Sequence, residues 1–270
     1  MSGDLADGRS KTFVFDLDGV VYVDHIGVPG AGETLEYLER AGHQVLFATN
    51  NSSRDVASVV ENIRNRTGFE ALPEAVVTSG VAAAELLRND GETCLVLGSD
   101  GLERTLEAAG IAVTSDHATA TALVVGLDRG LSYDRLAGAV LAVRRGARFV
   151  ATNDDATYPM PDGQYPGCGA IVAAVERSTG VTPTVCGKPN APMRALIERK
   201  IVNADVWMVG DRPGTDLALA ARAGWGKILV LTGVTGVVED LVPELRPDHT
   251  LGSIAELQGL VSAGNSPAGG

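Results

Sequence analysis

The sequence predicts an α/β fold, a parallel sheet wrapped by helices, on three observations. Short apolar runs alternate with helix-like segments along nearly the whole chain. Several of those runs end in polar clusters, the place where open α/β sheets hold their ligands. A second α/β series fills the middle of the chain, which makes the architecture composite.

Phe13-Val14-Phe15 reads as a buried strand running out into Asp16-Leu17-Asp18-Gly19-Val20. Two acids one residue apart at a strand end are not what packing selects, because neither is buried cheaply without a partner or a cation. Pro29-Gly30-Ala31-Gly32 then turns into a helix over 33–40, with Leu35 and Leu38 on one face and Gly42 as its stop. A second strand over 44–48 ends in Thr49-Asn50-Asn51-Ser52, suited to be both ligand loop and helix N-cap. A helix to residue 66, a strand over 75–78 and a helix over 81–88 follow.

The middle series is predicted as strands over 93–97, 122–125 and 149–152, with helices over 102–109, 132–145 and 170–178. Between the last strand and helix, residues 153–167 form a polar, proline-bearing stretch too long for an idle connection. Beyond it come a helix over 192–200, a strand over 205–209, a helix over 215–223 and a strand over 227–231. Ser253-Ile254-Ala255-Glu256 is a capping-box pattern opening a last short helix.

Composition narrows the function classes. At 270 residues the chain accommodates one large domain or a domain with a substantial insertion. A formal charge of −12 repels nucleic-acid phosphates and anionic lipid, and the nearest basic patch, Arg144-Arg145 with Arg148, reads as a helix end. No nucleic-acid or membrane partner is expected. Cys94, Cys168 and Cys186 lie far apart with no CxxC spacing, which argues for a reducing compartment. Residues 1–10 lack the apolar core of a secretory signal, and no apolar run approaches membrane-spanning length, so a cytoplasmic location is expected. Residues 1–9 and 262–270 read as loose tails.

The strand-end clusters suit one chemistry. Thr49-Asn50 offers a hydroxyl, an amide and backbone N–H groups to phosphate oxygens. Gly187-Lys188-Pro189 supplies a cation between two backbone-restricting residues. Gly210-Asp211, with Thr215-Asp216 after a turn, repeats the pattern of a strand ending in an acid. Asp16 and Asp211 on neighbouring strands would form an oxygen-rich site for Mg2+, with Asp16 as nucleophile and Asp18 as general acid and base. Lys188, Thr49 and Asn50 would stabilise the transferred group. Taken singly, each has a blander reading: Lys188 as a solvated lysine, Asp216 as an acid favoured at a helix N-terminus, Asn50 and Ser52 as N-caps.

These motifs resemble the haloacid dehalogenase (HAD) superfamily of phosphohydrolases, specifically its type IIA, NagD-like and p-nitrophenylphosphatase-like branch. Asp16-Leu17-Asp18-Gly19-Val20, Thr49-Asn50-Asn51, Gly187-Lys188-Pro189 and Gly210-Asp211 with Thr215-Asp216 match in order. Val28-Pro29-Gly30-Ala31, Phe149 to Asn153 and Tyr165-Pro166-Gly167-Cys168-Gly169-Ala170 match the branch. The resemblance implies a Rossmann-like three-layer core of residues 1–90 and 185–270, and an inserted α/β cap domain of the C2 type, subtype A, over 91–184. It also implies Mg2+ held by the Asp16 carboxylate, the Asp18 backbone carbonyl and Asp211, with Asp216 in support.

The implied activity is Mg2+-dependent hydrolysis of small phosphomonoesters, nucleoside monophosphates or sugar phosphates, through an aspartyl-phosphate. Glycerol phosphate or another polyol phosphate is the alternative substrate, and a non-catalytic phospho-ligand-binding relative the alternative role. Tyr158, Met160 and Tyr165 in the cap either touch substrate or pack against the core. The apolar cap surface is a candidate homodimer contact. Asp24-His25 and Pro213-Gly214 depart from the branch pattern without removing a catalytic side chain.

Overall fold

The structure, a computed structural model, describes residues 5–160, 162–233 and 241–262. Residues 1–4 and 263–270 of the predicted tails lie outside the described residues, whereas Leu5 is buried and Asp7 accepts a hydrogen bond from Lys11, so the segment after residue 4 is tied to the fold rather than loose. The chain divides into two compact units: Met1–Ala48, Val59–Val76 and Ile197–Gly270 form one, and Thr49–Ser58 with Val77–Leu196 the other.

The first unit is built on a six-stranded sheet, in the order His249–Leu251, Gly226–Val230, Val206–Gly210, Thr12–Phe15, Gln44–Thr49, Val76–Thr78. The strand Thr12–Phe15 lies at its centre, paired in parallel with Val206–Gly210 on one side and Gln44–Thr49 on the other. All four of its residues are buried, as expected of a parallel strand covered on both faces. Phe13, Phe15, Phe47 and Phe69 carry an aromatic chain through this core, with successive ring centroids 6.2, 6.3 and 6.0 Å apart.

Register is pinned at the lower edge of the sheet. Lys11, fully buried, donates from Nζ to Asp205 Oδ2 at 2.8 Å and to Asp7 Oδ1 at 2.5 Å. Burial works against its charge, but the bonds to Asp205 and Asp7 hold its pKa above the ordinary lysine value. Lys11 and Asp205 stand immediately before the two central strands, so the pair aligns their starts. Phe15 is thereby set beside Val209, and the partner strand runs one residue further, to Gly210.

The second unit holds a five-stranded parallel sheet in the order Thr184–Val185, Arg148–Ala151, Ala122–Val125, Thr93–Leu97, Ala112–Thr114. The helices Tyr133–Arg144 and Cys168–Thr179 close a core of Leu123, Val125, Val143, Phe149, Ile171 and Val175. The polar stretch 153–167 is not a plain loop. It contains an antiparallel ribbon, Thr157–Met160 with Gly163–Pro166, joined across its face by a T-shaped Tyr158–Tyr165 contact. Pro159 and Pro166 concealed it from the sequence, yet both strands of a two-stranded ribbon are edges, where proline costs little.

Other differences are local. The segment after Asp211 opens as a π turn over Pro213–Leu217 before the helix Ala218–Ala223. The predicted capping box gives a 3₁₀ turn, Ile254–Glu256, closed by the Glu256 N–H to the Ser253 carbonyl rather than by the serine side chain. Among the described residues, no helix is long and apolar enough to cross a membrane.

The three cysteines are all buried thiols. Burial pushes Cys94 and Cys168 up to about 11 and Cys186 up to about 12, from an ordinary 9.0. Native protein at pH 8 is therefore expected to leave a chromogenic disulfide reagent unreacted, and denatured protein to consume three equivalents. Because the folded values are raised, their contribution to stability is complete below about pH 9 and is lost as pH rises towards 11–12. Alkaline melting curves check the second expectation.

Candidate active site

Asp16 and Asp211 come together because their strands are neighbours. The Asp16 N–H continues the ladder by donating to the Val209 carbonyl at 2.9 Å, which sets Asp16 at the level of Gly210 and Asp211. Oxygens of Asp16, Asp211 and Asp216 all lie within 4.8 Å of one another. The three are buried, Asp16 at 6% exposure and the others at 0%. Asp216 enters from the π turn. Its Oδ2 accepts the Arg212 N–H at 3.0 Å and its Oδ1 the Thr215 hydroxyl at 3.3 Å, so it is aimed by its own turn.

Asp18 lies in a tight loop, outside this group. The N–H groups of Val20, Val21 and Tyr22 all turn onto the Leu17 carbonyl, and Gly19 donates to the Tyr22 carbonyl at 2.8 Å. Gly19 takes φ 94°, open to glycine at little cost. Leu17 is buried while Asp18 is exposed. One carboxylate thus sits in the buried cluster and the other stays accessible to water, a division suited to separate roles.

Two residues of this site went unread in the sequence. Thr232 donates its hydroxyl to the Gly19 carbonyl at 2.6 Å, closing the Asp loop from the end of a different strand. Gly233 lies against Asp211: a Cβ there would fall inside contact with the Asp211 carboxylate. A Cβ on Gly19 would stand 2.7 Å from Asp211 Oδ2, so the carboxylate is cradled between two glycines. The available signal was position, since Thr232-Gly233 follows the apolar run 227–231 at a strand end.

The other candidates assemble in the second unit. Thr49 (3% exposed), Asn50 (9%) and Lys188 (1%) are buried. Lys188 N–H donates to Asn50 Oδ1 at 2.7 Å, and Asn50 Nδ2 donates to the Lys188 carbonyl at 3.1 Å. The Asn50 carbonyl accepts the Ser79 hydroxyl at 2.6 Å and Asn153 Nδ2 at 2.8 Å. Ser52 and Thr152 share a hydroxyl–hydroxyl bond of 2.9 Å. Neither Asn50 nor Ser52 caps the next helix. That helix, Val56–Thr67, begins later, and its Ser58 N–H is taken by Asp55 Oδ1 at 2.8 Å. Hydrogen bonds from the Ser58 side chain and then from Arg104 hold the Asp55 carboxyl down at about 2.

The donor set fits a hard divalent cation on its own chemistry. Three buried carboxylates this close repel one another unless something positive is shared. Ligands about 2.1 Å from an octahedral ion span about 4.2 Å when trans, so a group within 4.8 Å closes on such an ion with little movement.

A parallel α/β core whose central strand ends in this acid cluster is the arrangement of a hydrolase class. The chain belongs to the haloacid dehalogenase-like hydrolase family and is a phosphatase of its type IIA branch. The family model described as haloacid dehalogenase-like hydrolase matches residues 13–112, and a second, HAD-hydrolase-like model matches residues 185–257. An acid sugar phosphatase of Staphylococcus haemolyticus is 37% identical over 246 residues, covering 89% of this chain and 92% of the relative. Among solved structures, a 4-nitrophenylphosphatase from Thermotoga maritima is similar with a TM-score of 0.87 and 35% identity, covering 95% of this chain and 99% of that one. A glycerol phosphate phosphatase from Mycobacterium tuberculosis, in complex with magnesium, has a TM-score of 0.84 and 33% identity over 96% of this chain and 79% of its own.

Proposed function

We propose that the chain is a Mg2+-dependent, cytoplasmic phosphatase of small phosphomonoesters, with sugar phosphates and nucleoside monophosphates as its preferred class. The reading is carried by one observation: three buried carboxylates converge at the end of the central strand while Asp18, two residues from Asp16, stays exposed. The glycerol phosphate phosphatase among its structural neighbours favours polyol phosphate as the second reading. We assign the core to residues 1–90 and 185–270 and the cap to 91–184.

Asp16 attacks phosphorus in line, forming its own O–P bond as the ester O–P bond breaks. Asp18 gives its proton to the departing alkoxide. In the second half, water attacks the aspartyl-phosphate, Asp18 takes its proton, inorganic phosphate leaves and the Asp16 carboxylate is restored. Thr49 and Lys188 hold the phosphoryl oxygens, the lysine offsetting their charge. Asp16, Asp211 and the Asp18 backbone carbonyl would hold Mg2+, with Asp216 fixing their arrangement; the ion supplies charge neutralisation and orientation of the phosphoryl group.

The test is phosphate release from sugar phosphates, nucleoside monophosphates, glycerol phosphate and p-nitrophenyl phosphate, with and without chelator. Activity that is lost on chelation and restored by Mg2+ is expected, with one natural ester turned over far above the rest. Full activity in chelator would overturn the reading, and a preference for glycerol phosphate would install the second one.

A further inference from the structure

We propose that Asn50 is a positioning residue: its side chain holds the main chain at Lys188, and its side-chain amide is not a ligand of the phosphoryl group. This rests on the assignment of Lys188 as a phosphate ligand.

The amide of Asn50 makes both halves of a pairing with one residue. Lys188 N–H donates to Oδ1 at 2.7 Å, and Nδ2 donates back to the Lys188 carbonyl at 3.1 Å. A side chain here imitates what a neighbouring strand would do. An asparagine amide has two hydrogens to give. One goes to the Lys188 carbonyl, and the other faces the Asp155 carboxylate, at 3.5 Å from Oδ1 and 3.3 Å from Oδ2. No amide hydrogen is left for a phosphoryl oxygen.

The orientation is set by its surroundings. Turning the amide over would bring its oxygen against the Lys188 carbonyl and the Asp155 carboxylate, three acceptors together, and its NH2 against a donor. The Asn50 backbone is held as well, by Ser79 and by Asn153. Asn153 and Asp155 therefore clamp Asn50, and Asn50 holds Lys188.

Gly187 completes the case. A Cβ there would stand 2.5 Å from Asn50 Oδ1 and 2.7 Å from the Thr152 carbonyl. Both contacts are too close for any side chain, and the first strikes the atom that receives the Lys188 N–H. The glycine before the lysine is thus explained by the amide that must reach past it.

A lysine buried to 1% exposure has little freedom to correct a displaced backbone. A shift of about 1 Å at a group acting on the transition state costs on the order of 10²-fold in rate. Asn50→Ala is accordingly expected to lower kcat/KM on p-nitrophenyl phosphate by about 10- to 100-fold, mainly in kcat, with the melting temperature lowered by about 2–8 °C and the protein still folded at the assay temperature.

The deciding experiment is a double-mutant cycle with Lys188→Met, which removes the charge and keeps the backbone that Asn50 holds. If Asn50 acts through Lys188, adding Asn50→Ala to Lys188→Met costs no more than about 2-fold. Losses that multiply would show an independent contact with substrate and overturn the proposal. Gly187→Ala provides a second cycle that leaves Asn50 in place, and it is expected to show the same non-additivity with Lys188→Met. A Lys188→Met enzyme as active as the parent would sink the assignment of Lys188 itself, a result distinct from multiplying losses.

Discussion

Asp16→Asn is expected to abolish phosphate release, lowering kcat by about four orders of magnitude or more, because an amide cannot form the aspartyl-phosphate. The strand that carries residue 16 pairs through Thr12–Phe15, upstream of the substitution, and the ladder bond to Val209 uses the backbone N–H. The fold is thus expected to survive, and circular dichroism with a thermal melt checks that it does. Asp18→Asn separates the two acids. It leaves the nucleophile intact and removes the proton donor, so the loss scales with how much the leaving group needs protonation. Alkyl phosphates are expected to suffer far more than p-nitrophenyl phosphate, whose phenolate departs readily. Equal losses on both esters would exclude Asp18 as the acid.

Gly233→Ala carries the second large effect, through a residue that performs no chemistry. The added methyl meets the Asp211 carboxylate inside contact distance, and Gly19 already lies against the same carboxylate, its own Cβ position 3.0 Å from the Gly233 Cα. The carboxylate cannot retreat without leaving Asp16 and Asp216. Overpacking of this kind costs about 1–3 kcal/mol, and a displaced ligand-supporting contact typically costs about 10- to 100-fold in metal affinity. The expected result is a Mg2+ activation curve moved to higher concentration by that factor, with part of the activity recovered at saturating Mg2+. An unchanged curve would show that the carboxylate tolerates the methyl.

Much of the core was readable in advance because its signals are strong and redundant. Phe13 to Phe15 and 206–209 are buried on both faces and read as unbroken apolar runs, and their ends carry the acids. What escaped was either short or non-periodic. Ala112–Thr114, Thr184–Val185 and His249–Leu251 are strands of two or three residues on sheet edges, too brief for alternation to register. The Tyr158–Tyr165 ribbon was hidden by its prolines. In the site, Asp16 and Asp211 were legible from residue type, whereas Thr232 and Gly233 act through a hydroxyl and a missing side chain. Their roles depend on proximity to Gly19 and Asp211, which only the sheet order reveals. Asn50 shows the same limit: its amide pairs with the Lys188 main chain, a partner 138 residues away that residue type does not announce.

The pairing of Thr12–Phe15 with Val206–Gly210 also has a bearing on synthesis. The first acid of the cluster is made well before the last two, so no growing chain shorter than about residue 217 can hold the trio. Contacts this distant in sequence form late in folding. The nascent protein therefore has no metal-competent pocket until the strand Val206–Gly210 docks beside Thr12–Phe15. Phosphatase activity would then serve as a report that the chain has been made and folded at least through the strand and turn that carry Asp211 and Asp216.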